Sequence, residues 1–565
     1  AGYVRLLNLR AAAGPVRLVD LRADAEARER FAGLGLDPDQ GMLVETGGRL
    51  FHGADALHAL ALMSSGSGRL DRLCARLFAH RWSSRIAYPL LRAGRNATLL
   101  ALGRAPMARE DPGEAALFIL FSFAMGLFGL MHVMNYAFEY GRFLTPTIWP
   151  ILVPAIGLIF HPGSRRLFVL LLVTLAINAC AQAPMASNHT LILSFLLLAC
   201  LAAGFWHGLR GGRFLEFFAD VAPVGRVLLL VMYVYGIFHK INADFLNPEV
   251  SCAVTLWRAM PPPLRWLDAP WVHYATIYGT FVVEGVIFAL LLTPRLRRFG
   301  IVGGIGFHML LAQSGHALYA AFSTLSLSLH ILFLAPAAAL RITDHPTFRA
   351  IFRQLRSPWG IAAFALVLLL ITVNAFRRDF GLVGLTWCLL ALPLVVAILF
   401  LPGRVAPTVR RTPLLWSRLA WLNVVGLLFA LNNALPYLGL KTAQTINMFA
   451  NLRLEGGVSN HLVLPGPPGP FGYLADVVTL EKVEGAPYLA ALGEAGYGVV
   501  WYQFLDLVGR EPGAVVTYSR GGERVENATA ASLAVEHAAV LHPEWLRKWF
   551  HFRRVDLRLP KPCSD

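Results

Sequence analysis

The chain has 565 residues, 56% of them hydrophobic and only 15% charged, with a mean hydropathy of +0.55. That composition excludes an ordinary soluble globular protein and predicts a mainly α-helical polytopic membrane protein. A net charge of +16 would suit a nucleic-acid binder, but the arginines fall in short loops between apolar runs, so no nucleic-acid partner is expected.

In chain order, residues 1–108 read as a small cytoplasmic α/β domain. Residues 16–21 and 41–45 have the pattern of strands, 23–34 that of a helix, and 55–102 that of Arg-rich helices. No cleavable signal-peptide pattern opens the segment. Leu36-Asp37-Pro38-Asp39, Met42-Leu43-Val44, Gly53-Ala54-Asp55-Ala56-Leu57 and Tyr88 resemble the DCC family of thiol-disulfide oxidoreductase-like proteins. The resemblance implies a thioredoxin-like remnant. The family's DxxCxxC signature, which should precede Ala1-Gly2-Tyr3-Val4-Arg5, is not in the sequence: either the sequence begins after that segment or the domain has lost its dithiol, and the residues present carry no dithiol chemistry.

From Ala115 onward, apolar runs of membrane-helix length recur. They fall near 115–138, 148–160, 167–181, 190–206, 224–238, 272–292, 299–311, 318–334, 359–373, 383–400 and 415–435, which predicts about eleven spans. Arginines gather in alternate loops, at Arg165 and Arg166, Arg210 and Arg213, Arg295 to Arg298, Arg341 to Arg356, and Arg404 to Arg411. Loops 181–188 and 313–317 on the other side are nearly uncharged. This asymmetry predicts a cytoplasmic N-terminus and an external C-terminus, in a bacterial inner membrane.

Residues 437–565 then form an external, periplasmic α+β domain, with strands expected at 498–504, 514–518 and 550–557. The six cysteines, Cys74, Cys180, Cys200, Cys252, Cys388 and Cys563, show neither a CxxC pair nor metal-ligand spacing, so no metal is expected. Cys252 and Cys563 fall on the external side, where a disulfide between them is one option.

Lys240 is the only lysine among residues 1–440, although arginine is abundant there. A guanidinium keeps its proton in a protein, whereas a partly buried ammonium can lose one and act as a base. The plain alternative is a lysine that snorkels at a helix end. In the topology above, Lys240 ends an outward span, His189 opens an inward one and His308 lies late in another outward one. Three titratable groups thus converge on the external leaflet, where they would supply a base and a hydrogen-bonding acid. His132, His239, His273, His316 and His330 read as packing histidines, and Glu284 as a partner for a cation.

The stretch Gly236-Ile237-Phe238-His239-Lys240-Ile241-Asn242-Ala243-Asp244-Phe245 resembles the Lys-Leu-Asp-Ala-Asp-Trp segment of the vitamin K-dependent gamma-carboxylases and their bacterial HTTM-domain relatives. Ser187-Asn188-His189-Thr190 and Phe307-His308-Met309 are similar to two further segments of that family, and Glu284 stands where it has an acidic residue. Leu435-Pro436-Tyr437-Leu438 and Met448-Phe449-Ala450 look like the part that follows the last span, with 451–461 at the pocket mouth. The resemblance implies a carboxylase-like membrane core over 109–340, followed by additional helices over 341–436 and the external domain over 437–565.

It further implies that Lys240 deprotonates a quinol, that His189 assists carboxylation and that His308 is a pocket residue. Asn188, Phe238, His239, Asn242, Glu284 and Phe307 are the implied cofactor contacts. The implied cofactor is a reduced quinone of vitamin K or menaquinone type drawn from membrane lipid, with O2 and CO2 as co-substrates and no metal. In that family the oxygenated quinol removes a proton from an external peptide or protein, CO2 adds and the quinone epoxide leaves.

Two readings follow. One is a membrane enzyme of this carboxylase-like, lyase and oxygenase type. The other is a non-catalytic scaffold or accessory subunit of a membrane complex, docking a partner through the helices of 358–435 and the external domain. The solitary lysine favours the enzyme. No internal repeat or matched pair of broken helices points to a transporter.

Overall fold

The computed structural model describes residues 16–17, 19–21, 24, 26–27, 30–31, 34, 42–63, 76, 78, 80–101, 111–139, 141–183, 188–210, 212–316, 319–401, 413–536 and 549–563. They divide into two compact units, residues 1–111 with 200–219, and residues 112–199 with 220–565.

In the first unit, β1 (Leu43–Thr46) and β2 (Arg49–His52) pair as an antiparallel hairpin. Gly47 and Gly48 at its tip both have positive φ, as a tight two-residue hairpin turn requires. α1 (Ala54–Leu62) and α2 (Arg81–Ala101) follow. The described residues of 16–21 are not in a strand, and the two strands that do form pair with each other. Residues 36–39, most of 23–34, Cys74, Ser187 and the arginines of 404–411 lie outside the described residues.

The second unit is a helical bundle capped by a mixed domain. α3 (Pro112–Met134), extended by a π turn over Asn135–Glu139, is apolar all round and almost wholly buried, as befits a central helix. Its Gly126 admits α4 (Leu152–Phe160), since a Cβ there would stand 2.8 Å from the Ala155 carbonyl oxygen. α5 (Arg165–Gln182), α6 (Asn188–Arg210) and α7 (Phe214–Phe238) are of membrane-spanning length. After the short α8 (Cys252–Arg258) come α9 (Pro270–Leu292), α10 (Arg297–Ala312) and α11 (Tyr319–Ile331). α11 bends by 108° into α12 (Pro336–Asp344), and α13 (Pro346–Leu355) leads to α14 (Pro358–Phe376), α15 (Phe380–Phe400) and α16 (Val424–Ala434). Prolines at the first turns of α9 and α12 to α14 start those helices where a missing N–H costs nothing.

Among the described residues, eight helices are long and apolar enough to cross a membrane, or nine if the bent pair makes one span. That supports a mainly helical membrane protein, with fewer helices of full spanning length than the eleven or so apolar stretches. All eleven expected stretches contain a helix, but three of those helices are short. α10, with 16 residues, is only about 24 Å long against a hydrocarbon core of about 30 Å.

The C-terminal part carries an antiparallel sheet in the order β6-β5-β3-β4-β7, built from β3 (Val477–Glu484), β4 (Tyr497–Val500), β5 (Val515–Arg520), β6 (Glu523–Thr529) and β7 (Val555–Asp556). α17 (Pro487–Glu494) and α18 (Trp501–Arg510) pack on it around Val478, Leu489, Phe504 and Val516. The strand expected at 498–504 is therefore half helix. Its Val499-Val500-Trp501 run looks strand-like, but Trp501, Phe504, Leu505 and Val508 share one face at helical spacing and bury together. The strand expected at 550–557 shrinks to the two residues of β7.

This domain is sewn to the loop after α7. Cys252 and Cys563 form a disulfide across 311 residues of sequence, with Cα atoms 4.9 Å apart. Asn451 accepts from the Cys252 backbone N–H (2.8 Å) and donates to the carbonyls of Val250 and Lys561. Asp244 accepts from the Lys561 backbone N–H and from the Asn460 amide.

Lys441, just past α16, is 1% exposed and donates to Asn432 Oδ1 at 2.9 Å. Burial beside this neutral partner lowers its pKa to about 7 from an ordinary 10.5. The folded chain releases this proton near pH 7, while the unfolded chain holds it to about pH 10.5. Stability should therefore be lowest below pH 7 and climb, by an amount on the order of 3–5 kcal/mol, as pH rises through that window. Thermal unfolding of Lys441→Met in detergent should lack this climb; an identical pH profile in both proteins would refute the assignment.

Candidate functional site

α7 ends at Phe238, and the chain turns through His239 to Asn242, with the Lys240 N–H donating to the Ile237 carbonyl. Asn242 fixes the turn. Its side chain accepts from the Phe245 N–H at 2.8 Å, capping the short helix that follows, and donates to the carbonyls of His239 and Ala450. The backbone is further clamped by Ala243 N–H to Asn460 O and Leu462 N–H to Ile241 O. Lys240 is thereby aimed back into the bundle, where its Nζ meets Glu284 Oε1 of α9 at 2.7 Å.

The pair lines a cavity of about 110 Å³, room for several waters at about 10–15 Å³ each or for a small polar headgroup. Asn188 and His189 from the start of α6, Tyr233 and Gly236 from α7, and Phe307 and His308 from α10 line it too. Apolar walls come from Met232, Phe245, Leu256, Leu311 and Phe322. Tyr319 and Phe449, stacked with ring centroids 5.1 Å apart and planes 19° apart, line it as an aromatic pair. A Cβ on Gly236 would stand 3.4 Å from Glu284 Oε2 and 4.0 Å from Lys240 Nζ, so the glycine keeps the space over the ion pair open.

Two hydrogen-bond networks stand behind the cavity. In the first, the Tyr233 hydroxyl lies 3.0 Å from His330 Nε2 and 3.5 Å from His308 Nε2. His330 Nδ1 lies 2.7 Å from the Ser326 carbonyl, which can only accept, so Nδ1 carries the proton and Nε2 accepts from Tyr233. The Tyr233 oxygen then takes the Nε2 proton of His308, which leaves His308 Nδ1 as an acceptor. Among the described residues, that nitrogen and Glu284 Oε2 are buried without a hydrogen-bond partner. Gly304 makes this network possible, because a Cβ there would lie 2.0 Å from His330 Nε2. In the second network His189 Nε2 stands 3.2 Å from His132 Nδ1, and His132 Nε2 stands 3.0 Å from Asn178 Oδ1.

Of the residues singled out in the sequence, Asn188, His189, Lys240, Glu284, Phe307 and His308 line this one cavity. Phe238, His239 and Asn242 do not line it. They face the segment after α16 instead, with Phe238 against the rings of Tyr437 and His461 and His239 Nδ1 2.6 Å from the Tyr437 hydroxyl. Their work is to brace the turn that carries Lys240. His132 and His330, read as packing residues, stand directly behind the cavity histidines. Tyr233, Tyr319, Ile446 and Phe449 line the cavity without having been singled out as site residues. Phe449 has a φ of +55°, a conformation that no sequence pattern around it announces.

The Lys240–Glu284 pair is largely withdrawn from water, with side-chain exposures of 13% and 9%. Removing one partner strands the other in apolar surroundings, at a cost of about 3–5 kcal/mol, while removing both is much cheaper. Lys240→Met and Glu284→Met should each lower the unfolding midpoint, and the double variant should recover most of the loss; additive losses would mean the two charges are not coupled. In comparisons with known proteins, no family model, no curated protein and no solved structure matches the chain.

Proposed function

We propose that the cavity binds a hydroquinone drawn from the membrane and that the chain is a carboxylase-like membrane enzyme. The observation that carries this reading is the pair of buried acceptors without a partner among the described residues, Glu284 Oε2 and His308 Nδ1, in a chamber walled mostly by apolar and aromatic side chains. Buried acceptors left unpaired are costly. A planar ring with two O–H groups would satisfy both and lie along the Tyr319–Phe449 pair, whereas a quinone offers no donors. An isoprenoid tail suits a chamber built among membrane helices.

The Lys240 side chain is the proton acceptor in this reading. Across the 2.7 Å contact with Glu284 Oε1 a single proton transfer converts the ion pair into an amine and a carboxylic acid, and the neutral amine can deprotonate a phenol. The bound hydroquinone, with O2, supplies a strong base. The net reaction balances as hydroquinone, O2, a substrate C–H and CO2 giving quinone epoxide, water and a substrate carboxylic acid. The apolar walls keep bulk water from quenching that base. His189 serves the carboxylation step.

The C-H donor is an external peptide or protein, reached from the side of the 437–565 domain. The Cys252–Cys563 bond supports placing that side in an oxidising compartment such as the periplasm, and the Arg-rich loops support a cytoplasmic N-terminus. Protease added to spheroplasts should cut the 437–565 domain; full protection would put it inside.

Lys240→Arg keeps the charge facing Glu284 but cannot give up its proton. Purified protein incubated with reduced menaquinone or vitamin K and O2 should form quinone epoxide, detected by mass spectrometry, and Lys240→Arg should lose about 100-fold or more of that rate while remaining folded. Equal rates in the two proteins, or no epoxide from folded wild type, would favour the scaffold reading.

A further inference from the structure

The short helix α13 is amphipathic, and its charge is gathered on one flank. Phe348, Phe352 and Leu355 recur at i, i+4 and i+7 and are half-buried, with the Phe352 ring 5.5 Å from Phe123 of α3 and 4.8 Å from Phe348. Arg349, Arg353 and Arg356 repeat that spacing one residue later. All three are exposed and lie on the same side of the apolar stripe, whereas Thr347, Ala350 and Gln354 leave the opposite flank uncharged.

The adjoining helices fix the depth at which α13 lies. Ser357 caps α14, accepting from the Gly360 N–H at 3.1 Å, and Trp359 in its first turn is 80% exposed, as suits a tryptophan at a membrane boundary. α13 therefore lies where the apolar surface of α14 begins, the place of a helix that rests in the interface. Arg356 ties it to a second basic segment. Its Nε donates to the carbonyl of Phe160, the last residue of α4, at 2.8 Å, and residues 161–164 then turn the chain into α5, which opens with Arg165 and Arg166. Arg166 is exposed and shares one helical face with Val169, Leu170, Val173 and Ile177, all exposed as well. It thus heads an apolar stripe that faces lipid. Residues 160–170 and 340–357 hold six arginines and one acidic residue, Asp344, and Arg349 engages that carboxylate at 2.5 Å.

We propose that Arg166 on α5, with Arg353 and Arg356 on α13, binds the headgroup phosphate of an anionic phospholipid, whose acyl chains lie along Val169, Leu170, Val173 and Ile177. Guanidinium groups match phosphate oxygens in pairs of parallel N–H···O bonds. The excess of positive charge selects a headgroup such as phosphatidylglycerol over one that carries its own ammonium. The apolar stripe directly beyond Arg166 makes the source a lipid, because a free phosphate would leave those side chains uncovered. The site shares no residue with the cavity and holds whatever the cavity binds.

The test is photolabelling of full-length protein in phosphatidylcholine bilayers, with a trace of phosphatidylglycerol carrying a diazirine in its acyl chain. Peptides covering α5 are then quantified by mass spectrometry. Wild type should be labelled on the 169–177 stretch, and the same diazirine on phosphatidylcholine should label it several-fold less. Arg166→Gln and Arg353→Gln should each reduce the phosphatidylglycerol label about 5-fold, and the double variant about 25-fold. Arg166→Lys should keep most of it, and Arg377→Gln with Arg378→Gln, beyond the other end of α14, should leave it unchanged. Equal labelling by the two lipids, or an undiminished label in the folded Arg166→Gln, Arg353→Gln protein, would overturn the proposal. Loss of the label on adding millimolar inorganic phosphate would also overturn it, by showing a site for free anions.

Discussion

Lys240 and Glu284 bring two opposite charges together, 2.7 Å apart, in a chamber walled by Met, Leu and Phe side chains. Taking charges from water into such surroundings costs several kcal/mol per ion, and their attraction offsets this only when the geometry is held. Much of the local structure does that holding. The turn after α7 is capped by Asn242, clamped by backbone bonds to residues 460 and 462, and pressed from outside by Tyr437 and His461. The disulfide and the Asn451 amide then fix the chain that follows, so that Ala253 and Leu256 of α8 become cavity wall. A lysine at the frayed end of a helix is ordinarily mobile; this one is aimed.

The same constraint explains the histidines. Inside a bundle a polar group must find partners within the protein. His132, His189, His308 and His330 do so through neutral neighbours, a tyrosine, an asparagine, a serine carbonyl and each other. Because the Ser326 backbone carbonyl anchors the Tyr233–His330 chain, each proton position there follows from the one before it. Both chains end on a cavity histidine, and the Tyr233–His330 chain leaves His308 Nδ1 as an acceptor. At His308 the cavity's polarity is therefore set by a group that never touches it, the Ser326 carbonyl.

How much of this is legible in the sequence depends on the range of the interaction. The membrane class and the helix positions follow from local hydropathy, and the solitary Lys240 is visible as an anomaly of usage. That His189, Lys240 and His308 belong together follows from counting spans and assigning alternate ends to one leaflet. That argument does not need the exact number of spans, only that the order of ends is kept. What local pattern could not supply is the pairing of groups far apart in sequence. His132 as partner of His189 is a contact across 57 residues, and His239 with Tyr437 one across 198. Phe238, His239 and Asn242 sit beside Lys240 in sequence and so read as site residues, yet a tight turn sends them to the opposite side of the chain. The start of α18 reads as strand for a different reason, since Val499 and Val500 end β4 and Trp501 opens the helix, and the three buried residues run together as one apolar stretch.

Phe449 shows why the C-terminal domain cannot be separated from the cavity in the helical bundle. Gln444, Phe449 and Asn451 all have φ near +55°, in the left-handed region that costs a non-glycine residue of order 1 kcal/mol or more. Asparagine side chains hold this strap at several points: Asn432 donates to the Gln444 carbonyl, Asn433 accepts from the Ile446 N–H, and Asn451 bonds Val250, Cys252 and Lys561. Between those anchors, Phe449 is placed flat on Tyr319 to complete the cavity. The strain is thus sustained by contacts on both sides of residues 444–451, those from α16 and those from the loop after Lys240. Any change that loosens the C-terminal domain from that loop also removes a wall of the cavity, which makes the domain part of the site's architecture.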